Sequence, residues 1–411
     1  MNFTEQTKQI IENAQSKLAH AFEYVDDIAT YNQMKVLDAF RENNVGLRHF
    51  SQTNGYGYDD IGRDTLCRLF AQIFGGESAI VSPLIVSGTH ALSLALYGVL
   101  RPNDEMISIT GSPYDTLKEV ILGDGNGSLR DFGVKYQQVE LKNGKIDVEN
   151  TLKKINENTK LIFIGRSRGY EWRNALTVDD IKVVIKEIRA CKADICIMVD
   201  NCYGEFIEKI EPTQVGADLI VGSFIKNPGG GIAPSGGYIC GKSKFIDMVA
   251  GRLTAPSIGL EVGSYAYGYK DFYQGIFIAP HTVAQAIKGS MLIGQVFHDL
   301  GFETMPLPGE KCGDIIRSIK FNTQAQLIDF CRAIQEASPI DSNVVPYPWD
   351  MPGYEHQVIM AAGTFVAGAS IELSADSPIK EPYIAYVQGG LTYEHVKIAC
   401  MYCVEKLLFN K

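Results

Sequence analysis

Four short stretches carry residue types that could do chemistry together. Residues 221–231, VGSFIKNPGGG, set one lysine, Lys226, just past an apolar strand and before a glycine-rich loop. A lysine partly desolvated at such a mouth has a lowered pKa and can act as an amine nucleophile. Asp200 ends the run ICIMVD. A carboxylate after five apolar residues is costly unless paired, and it suits a protonated heterocyclic nitrogen. In SGTHA, Ser87 and Gly88 end a strand and Thr89 opens a helix. Free backbone N–H groups and the helix dipole could hold a phosphate there. Tyr114, in the loop TGSPYDT, could stack on a flat ligand. Taken singly, each has an ordinary structural explanation: a helix cap, a turn-capping aspartate, a solvated lysine, a core ring.

Taken together they match one ligand. A phosphate cradle, a stacking ring, an acid for a ring nitrogen and a nucleophilic amine are what pyridoxal 5′-phosphate (PLP) requires. The glycines after Lys226 are expected to leave space for cofactor and substrate. The Walker pattern and GxGxxG are absent, which argues against a nucleotide or nicotinamide cofactor.

The elements that must position these residues alternate. Apolar runs such as EMISIT, KLIFIG, ICIMVD and DLIVGS are separated by helix-like segments, including THALSLALYGVL and TVDDIKVVIKEIRAC. Thr177 and Asp180 form a capping-box pattern at the start of the second of these. Such alternation predicts right-handed crossovers and a mostly parallel, buried sheet, with ligands beyond the carboxyl ends of the strands. The segment from residue 4 to about 45 reads as helical. A long amphipathic helix is expected from Ala279, after which short strands mix with helices as in a smaller α+β domain. The division read from this is an N-terminal arm at 1–55, an α/β domain at 56–280 and a C-terminal α+β domain at 281–411.

The chain has 411 residues, a net charge of −10 and no dominant basic cluster, which argues against nucleic-acid or anionic-membrane partners. No apolar run reaches the roughly 18 residues needed to span a bilayer. The N-terminal segment lacks the apolar core of a signal peptide. Nine irregularly spaced cysteines point to a reducing, cytoplasmic setting rather than a disulfide framework. Cys400 and Cys403 are expected on one packed face of the last helix. Acidic pairs such as Asp59-Asp60 and Asp179-Asp180 read as helix-start charges, so no metal is expected.

The stretches GYGYDDIGRDTL, IVSGTHAL, RSRGYEWR, VDNCYGEF, GADLIVGSFIKNPGGGIAPSGGYI and YVQGGLTYEHV resemble fold-type I PLP enzymes of the cystathionine γ-synthase/methionine γ-lyase class. More narrowly, they resemble the aluminium-resistance or cystathionine β-lyase-like family. The resemblance implies a PLP-dependent transferase-like large domain and a carbon–sulfur lyase acting on a small sulfur amino acid. It implies that Lys226 holds the cofactor and that Asp200 faces its ring nitrogen. Gly88, Thr89 and Ser223 would bind the phosphate, and Tyr114 would stack on the ring and move protons. Tyr58 and Arg63, or less favourably Tyr56, would reach the neighbouring subunit's phosphate, in a homodimer with shared sites paired into a homotetramer. Relatives hold the substrate carboxylate with a C-terminal arginine. The last arginine here is Arg332, leaving Lys380, Arg166, Arg168 or Arg173 for that role. An aminotransferase or aldolase on the same fold, or a low-activity PLP-binding stress protein, is the competing expectation.

Overall fold

A computed structural model describes residues 2–351 and 354–409. In chain order the first elements are α1 (Glu5–Ser16), α2 (Ala19–Glu42), α3 (Ile61–Phe74), β1 (Ser78–Ser82), α4 (Gly88–Val99), β2 (Glu105–Ser108), α5 (Asp115–Leu122) and β3 (Lys135–Gln138). Then come α6 (Val148–Lys154), β4 (Thr159–Gly165), α7 (Val178–Cys191), β5 (Cys196–Asp200), β6 (Leu219–Ser223), β7 (Gly237–Gly241), α8 (Ser243–Leu253) and α9 (Lys270–Asp299). The C-terminal elements are β8 (Glu303–Met305), β9 (Arg317–Phe321), α10 (Gln324–Glu336), β10 (Val358–Ala361), β11 (Ser374–Pro378), β12 (Tyr383–Gln388) and α11 (Tyr393–Phe409).

The first sheet has seven strands in the order β1-β7-β6-β5-β4-β2-β3. Neighbours from β6 through β3 pair in parallel, and β7 runs antiparallel to both β1 and β6. Ile162, Ile197 and Ile220, from three adjacent strands, are fully buried. Full burial of such a side chain contributes about 1.5–3 kcal/mol, which is why these runs read as continuously apolar. The register pairs Gly165 with Asp200 and Asp200 with Val221, so the carboxyl ends of β4, β5 and β6 share one edge.

The second sheet is antiparallel, in the order β10-β11-β12-β9-β8. One row across it is Met360, Asp376, Tyr386 and Ser318. The capping box of α7 forms as expected: Asp180 N donates to Thr177 Oγ1 and Thr177 N to Asp180 Oδ2, each at 3.1 Å. Cys400 and Cys403 are both fully buried on α11, the packed face expected of them.

Three sequence readings change. The N-terminal helical segment is two helices, broken at Lys17 and Leu18. Strand β7 was not anticipated, because GYICG follows a glycine- and proline-rich loop. The long helix begins at Lys270 and carries Pro280 inside it, so the domain boundary read at 280 falls within α9. Twenty of its residues are buried, and α2 lies along it through Gln33 Nε2 to Phe277 O (3.0 Å) and the Lys288–Asp26 ion pair (2.6 Å). Packing on both sides sustains a helix where proline alone predicts a start. By length and composition α9 could cross a membrane, but 72% of its apolar window is buried inside the protein.

Candidate active site

Strand β5 delivers Asp200 to the sheet edge, and the next four residues turn sharply. Tyr203 and Phe206 take φ of 70° and 62°, a left-handed conformation unusual for aromatic residues and a mark of a constrained site. Cys202 N donates to Asp200 Oδ1 at 3.1 Å. The turn places the Tyr203 ring against Lys226, whose Nζ stands 4.0 Å from the ring centroid. That contact is a cation–π interaction worth about 0.5–2 kcal/mol. Tyr203 was not among the residues expected from sequence; an aromatic three positions after a strand-end aspartate was the only signal.

Lys226 follows the end of β6 by three residues and precedes the short turn at Asn227–Gly229. Its pKa runs opposite to expectation. Burial works to lower it, but Cys202, Tyr203 and Asp200 act the other way and prevail, so the amine sits above the ordinary lysine range. The sequence reading counted desolvation alone and could not count the acids folded around it. For Asp200 the balance falls the other way: burial pushes its carboxyl above the usual carboxylate range, against the pull of Lys226 and the Cys202 amide.

The glycines after Lys226 serve packing rather than ligand space. A Cβ on Gly229 would stand 2.2 Å from Phe224 O, and one on Gly230 would stand 2.6 Å from Gly275 O in α9. Gly230 also has φ of 58°. The loop is glycine-rich because it threads between β6 and α9, which fixes the backbone of Lys226.

The expected phosphate cradle converges on the same edge. Ser87 caps α4, accepting from His90 N at 3.0 Å. A Cβ on Gly88 would meet Ser223 Cβ at 3.4 Å and Cys202 Sγ at 3.6 Å, so Gly88, Ser223 and the Asp200 turn are neighbours. Ser223 is buried. Thr89 Oγ1 and the Tyr114 hydroxyl are 3.0 Å apart, tying α4 to the start of α5. The Tyr114 ring remains 42% exposed. Burial of its hydroxyl, then the charge of Asp200, keeps the phenol protonated through the neutral range.

The residues expected to reach a neighbouring subunit differ in exposure. Tyr56 and Tyr58 are 72% and 64% exposed, with ring centroids 5.6 Å apart. Arg63 is buried, and its donors go to Asp64 Oδ1 (2.8 Å), Gly57 O (3.0 Å) and Gly263 O (3.2 Å). In this chain Arg63 holds the Tyr56–Tyr58 loop in shape.

Among the candidates for the substrate carboxylate, Arg166 and Arg168 are placed elsewhere. Arg166 is fully buried and donates to Leu176 O, Asn201 Oδ1, Gly204 O and Glu208 Oε1 at 2.7–3.2 Å. Arg168 is likewise buried, donating to Met305 O (2.8 Å) and pairing with Asp314 (3.2 Å), so it binds the β4 loop to the C-terminal sheet. Arg173 pairs with Glu171 (2.5 Å) and donates to Ser167 O. Lys380 is exposed at the turn between β11 and β12. Arg166 and Arg168 are buried struts because acids distant in sequence neutralise them. Arg166→Ala is expected to destabilise the fold by about 3–5 kcal/mol, since it removes the cation paired with Glu208 and one of the two acting on buried Glu211. Urea unfolding checks this, and Arg166→Met should be milder because it refills the volume.

The methionine gamma-lyase family model matches residues 7–408. An uncharacterized Bacillus subtilis protein, YnbB, is 49% identical over 405 residues, covering 98% of this chain and 96% of its own. The crystal structure of a carbon–sulfur lyase involved in aluminum resistance from Clostridium novyi NT superposes with a TM-score of 0.95 at 48% identity, covering 99% of this chain and 97% of that one. At 15% identity and a TM-score of 0.63, the pyridoxal-5′-phosphate-dependent protein YhfS of Escherichia coli shares the fold over 93% of this chain and 97% of its own. With a lysine and an aspartate brought to one sheet edge and a match across nearly its whole length, the chain belongs to the methionine gamma-lyase family of PLP-dependent carbon–sulfur lyases.

Proposed function

We propose that this chain eliminates a thiol from a sulfur amino acid of the cystathionine, methionine or cysteine type, giving a keto acid and ammonia. The observation that carries the reading is Lys226, fixed against the Tyr203 ring and balanced by Asp200 at one sheet edge. The residues present fit PLP: Lys226 would hold it, Asp200 stands at the same sheet edge for its ring nitrogen, and Gly88, Thr89 and Ser223 converge on one cradle. When bound, PLP supplies an electron sink for charge developing at the substrate α-carbon.

The chain's own groups divide the remaining work. With the cofactor in place, Lys226 would be the base for the α-proton, and the Tyr203 face would steady the charge it gains. Asp200 would face the cofactor's ring nitrogen, its carboxyl pushed up by burial and pulled back down by Lys226 and the Cys202 amide. Tyr114 stays protonated, so its role is to donate a proton to the departing sulfur; Thr89 holds its hydroxyl. The thiol leaves with that proton, and the unsaturated amine left behind hydrolyses in water to keto acid and ammonia.

We read the exposed Tyr56 and Tyr58 as the part of this chain offered to a second copy, in a homodimer with shared sites that pairs into a homotetramer in the cytoplasm. The test of the activity is direct. The holoenzyme, given L-cystathionine, L-methionine or L-cysteine without any amino acceptor, should release keto acid, ammonia and sulfur product in equal amounts. Keto acid formed only after an acceptor is added would replace this reading with an aminotransferase.

A further inference from the structure

Beyond Tyr203, an aromatic wall leads from Lys226 to an acid the mechanism does not use. The Tyr203 hydroxyl lies 3.2 Å from Ser370 Oγ, just ahead of β11. The Tyr170 hydroxyl donates to Asp376 Oδ2 at 3.0 Å. The Tyr170 ring is 5.2 Å from that of Tyr386 and 6.1 Å from that of Tyr354. Asp376 sits opposite Tyr386 in the β11–β12 register.

Several buried acids of this chain are held by cations. Asp314 is paired with Arg168, Glu211 with Arg166, and Asp218 with both Arg189 and Lys242. Among the described residues, none forms an ion pair with Asp376, whose side chain accepts from the Tyr170 hydroxyl. Burial pushes its acid up to about 6, with the Tyr170 hydrogen bond and the nearby charge of Lys226 working against that. A carboxylate largely removed from water and ionised at neutral pH, with no ion-pair partner of its own, is costly until a cation arrives.

We propose that the Asp376 carboxylate, oriented by Tyr170, binds a positive charge on the distal arm of the substrate, beyond the sulfur, so that the enzyme selects diamino thioethers over monoamino ones. This rests on Lys226 being the reacting centre, as the proposed function has it. The tyrosine rings supply the wall along which a thioether chain lies, and Asp376 supplies its end. Tyr170 is a positioning residue, and Asp376 sets specificity.

The probes are L-cystathionine and S-(3-carboxypropyl)-L-cysteine, which keeps the sulfur and both carboxylates but lacks the distal amine. Binding to the holoenzyme is read by stopped-flow absorbance, which registers association whether or not a carbon–sulfur bond is later cut. Failure of the lyase reading therefore leaves this comparison intact. The wild type should bind cystathionine at least about tenfold more tightly than the analogue, the range of a charge-assisted hydrogen bond. Asp376→Asn should bring the two within about twofold and leave the analogue's Kd unchanged, while Asp376→Glu keeps part of the preference. Tyr170→Phe, which leaves the carboxylate in place, should lower the preference a few-fold without moving the analogue. A wild type with no preference overturns the proposal. So does weakening of both ligands by the same factor in Asp376→Asn or Tyr170→Phe, which assigns the pair to the reacting amine or to structure.

Discussion

Replacing Lys226 by alanine is expected to remove the visible absorbance of the purified protein and to lower turnover by at least about a thousandfold. Two roles vanish with one amine: covalent retention of the cofactor and transfer of the α-proton. General base catalysis alone is worth about 10²–10⁴. The position is hard to replace, because the backbone of Lys226 is held by a turn whose glycines touch Phe224 O and α9, and its Nζ is held over Tyr203. Lys226→Arg should fail almost as badly: it keeps a cation over the ring but offers no nucleophilic amine. Far-UV circular dichroism should be unchanged in both variants, which separates lost chemistry from lost fold. A purified Lys226→Ala protein that remains coloured and active would place the reacting amine elsewhere.

What could be read ahead of the structure follows from how each signal arises. Strands β4, β5 and β6 are buried on both faces, so their apolar runs announce themselves, and a lysine or aspartate at their ends stands out against that background. Asp200, Lys226, Ser223 and Gly88 were legible for this reason, and the structure brings them to one edge. Strand β7 was hidden because its pairing with β1 and β6 is long-range and its sequence is half glycine-turn. The burial of Arg166 and Arg168 depends on Glu211 and Asp314, which are 45 and 146 residues away, so side-chain type alone made them look like surface or substrate groups. The same blindness reversed the direction of the Lys226 pKa, since desolvation is visible in a sequence and the opposing acids are not. Tyr203 and Asp376 were missed because their meaning lies in the gap between the two sheets. Neither residue is unusual where it stands in the chain.

Asp200→Ala should weaken cofactor retention by about tenfold or more and slow α-proton loss by about 10²-fold, an effect on the chemistry rather than on the fold. The half-buried carboxylate accepts from Cys202 N at the carboxyl end of β5, the edge where a protonated ring nitrogen would sit. Removing it also takes away one of the charges holding Lys226 protonated, so the amine should titrate lower in the variant than in the wild type. Asp200→Asn separates shape from charge. The amide can still accept from Cys202 N and fills nearly the same volume, but it carries no charge. If the role is electrostatic, Asp200→Asn should behave like Asp200→Ala; if it is packing, it should behave like the wild type. Exchange of the α-proton of L-norleucine, followed by proton NMR in deuterated buffer, reads the step without requiring carbon–sulfur cleavage. Norleucine lacks sulfur, so proton loss is seen apart from leaving-group departure. Exchange at the wild-type rate in Asp200→Ala would remove this carboxylate from the reaction and leave it as a turn residue that caps β5.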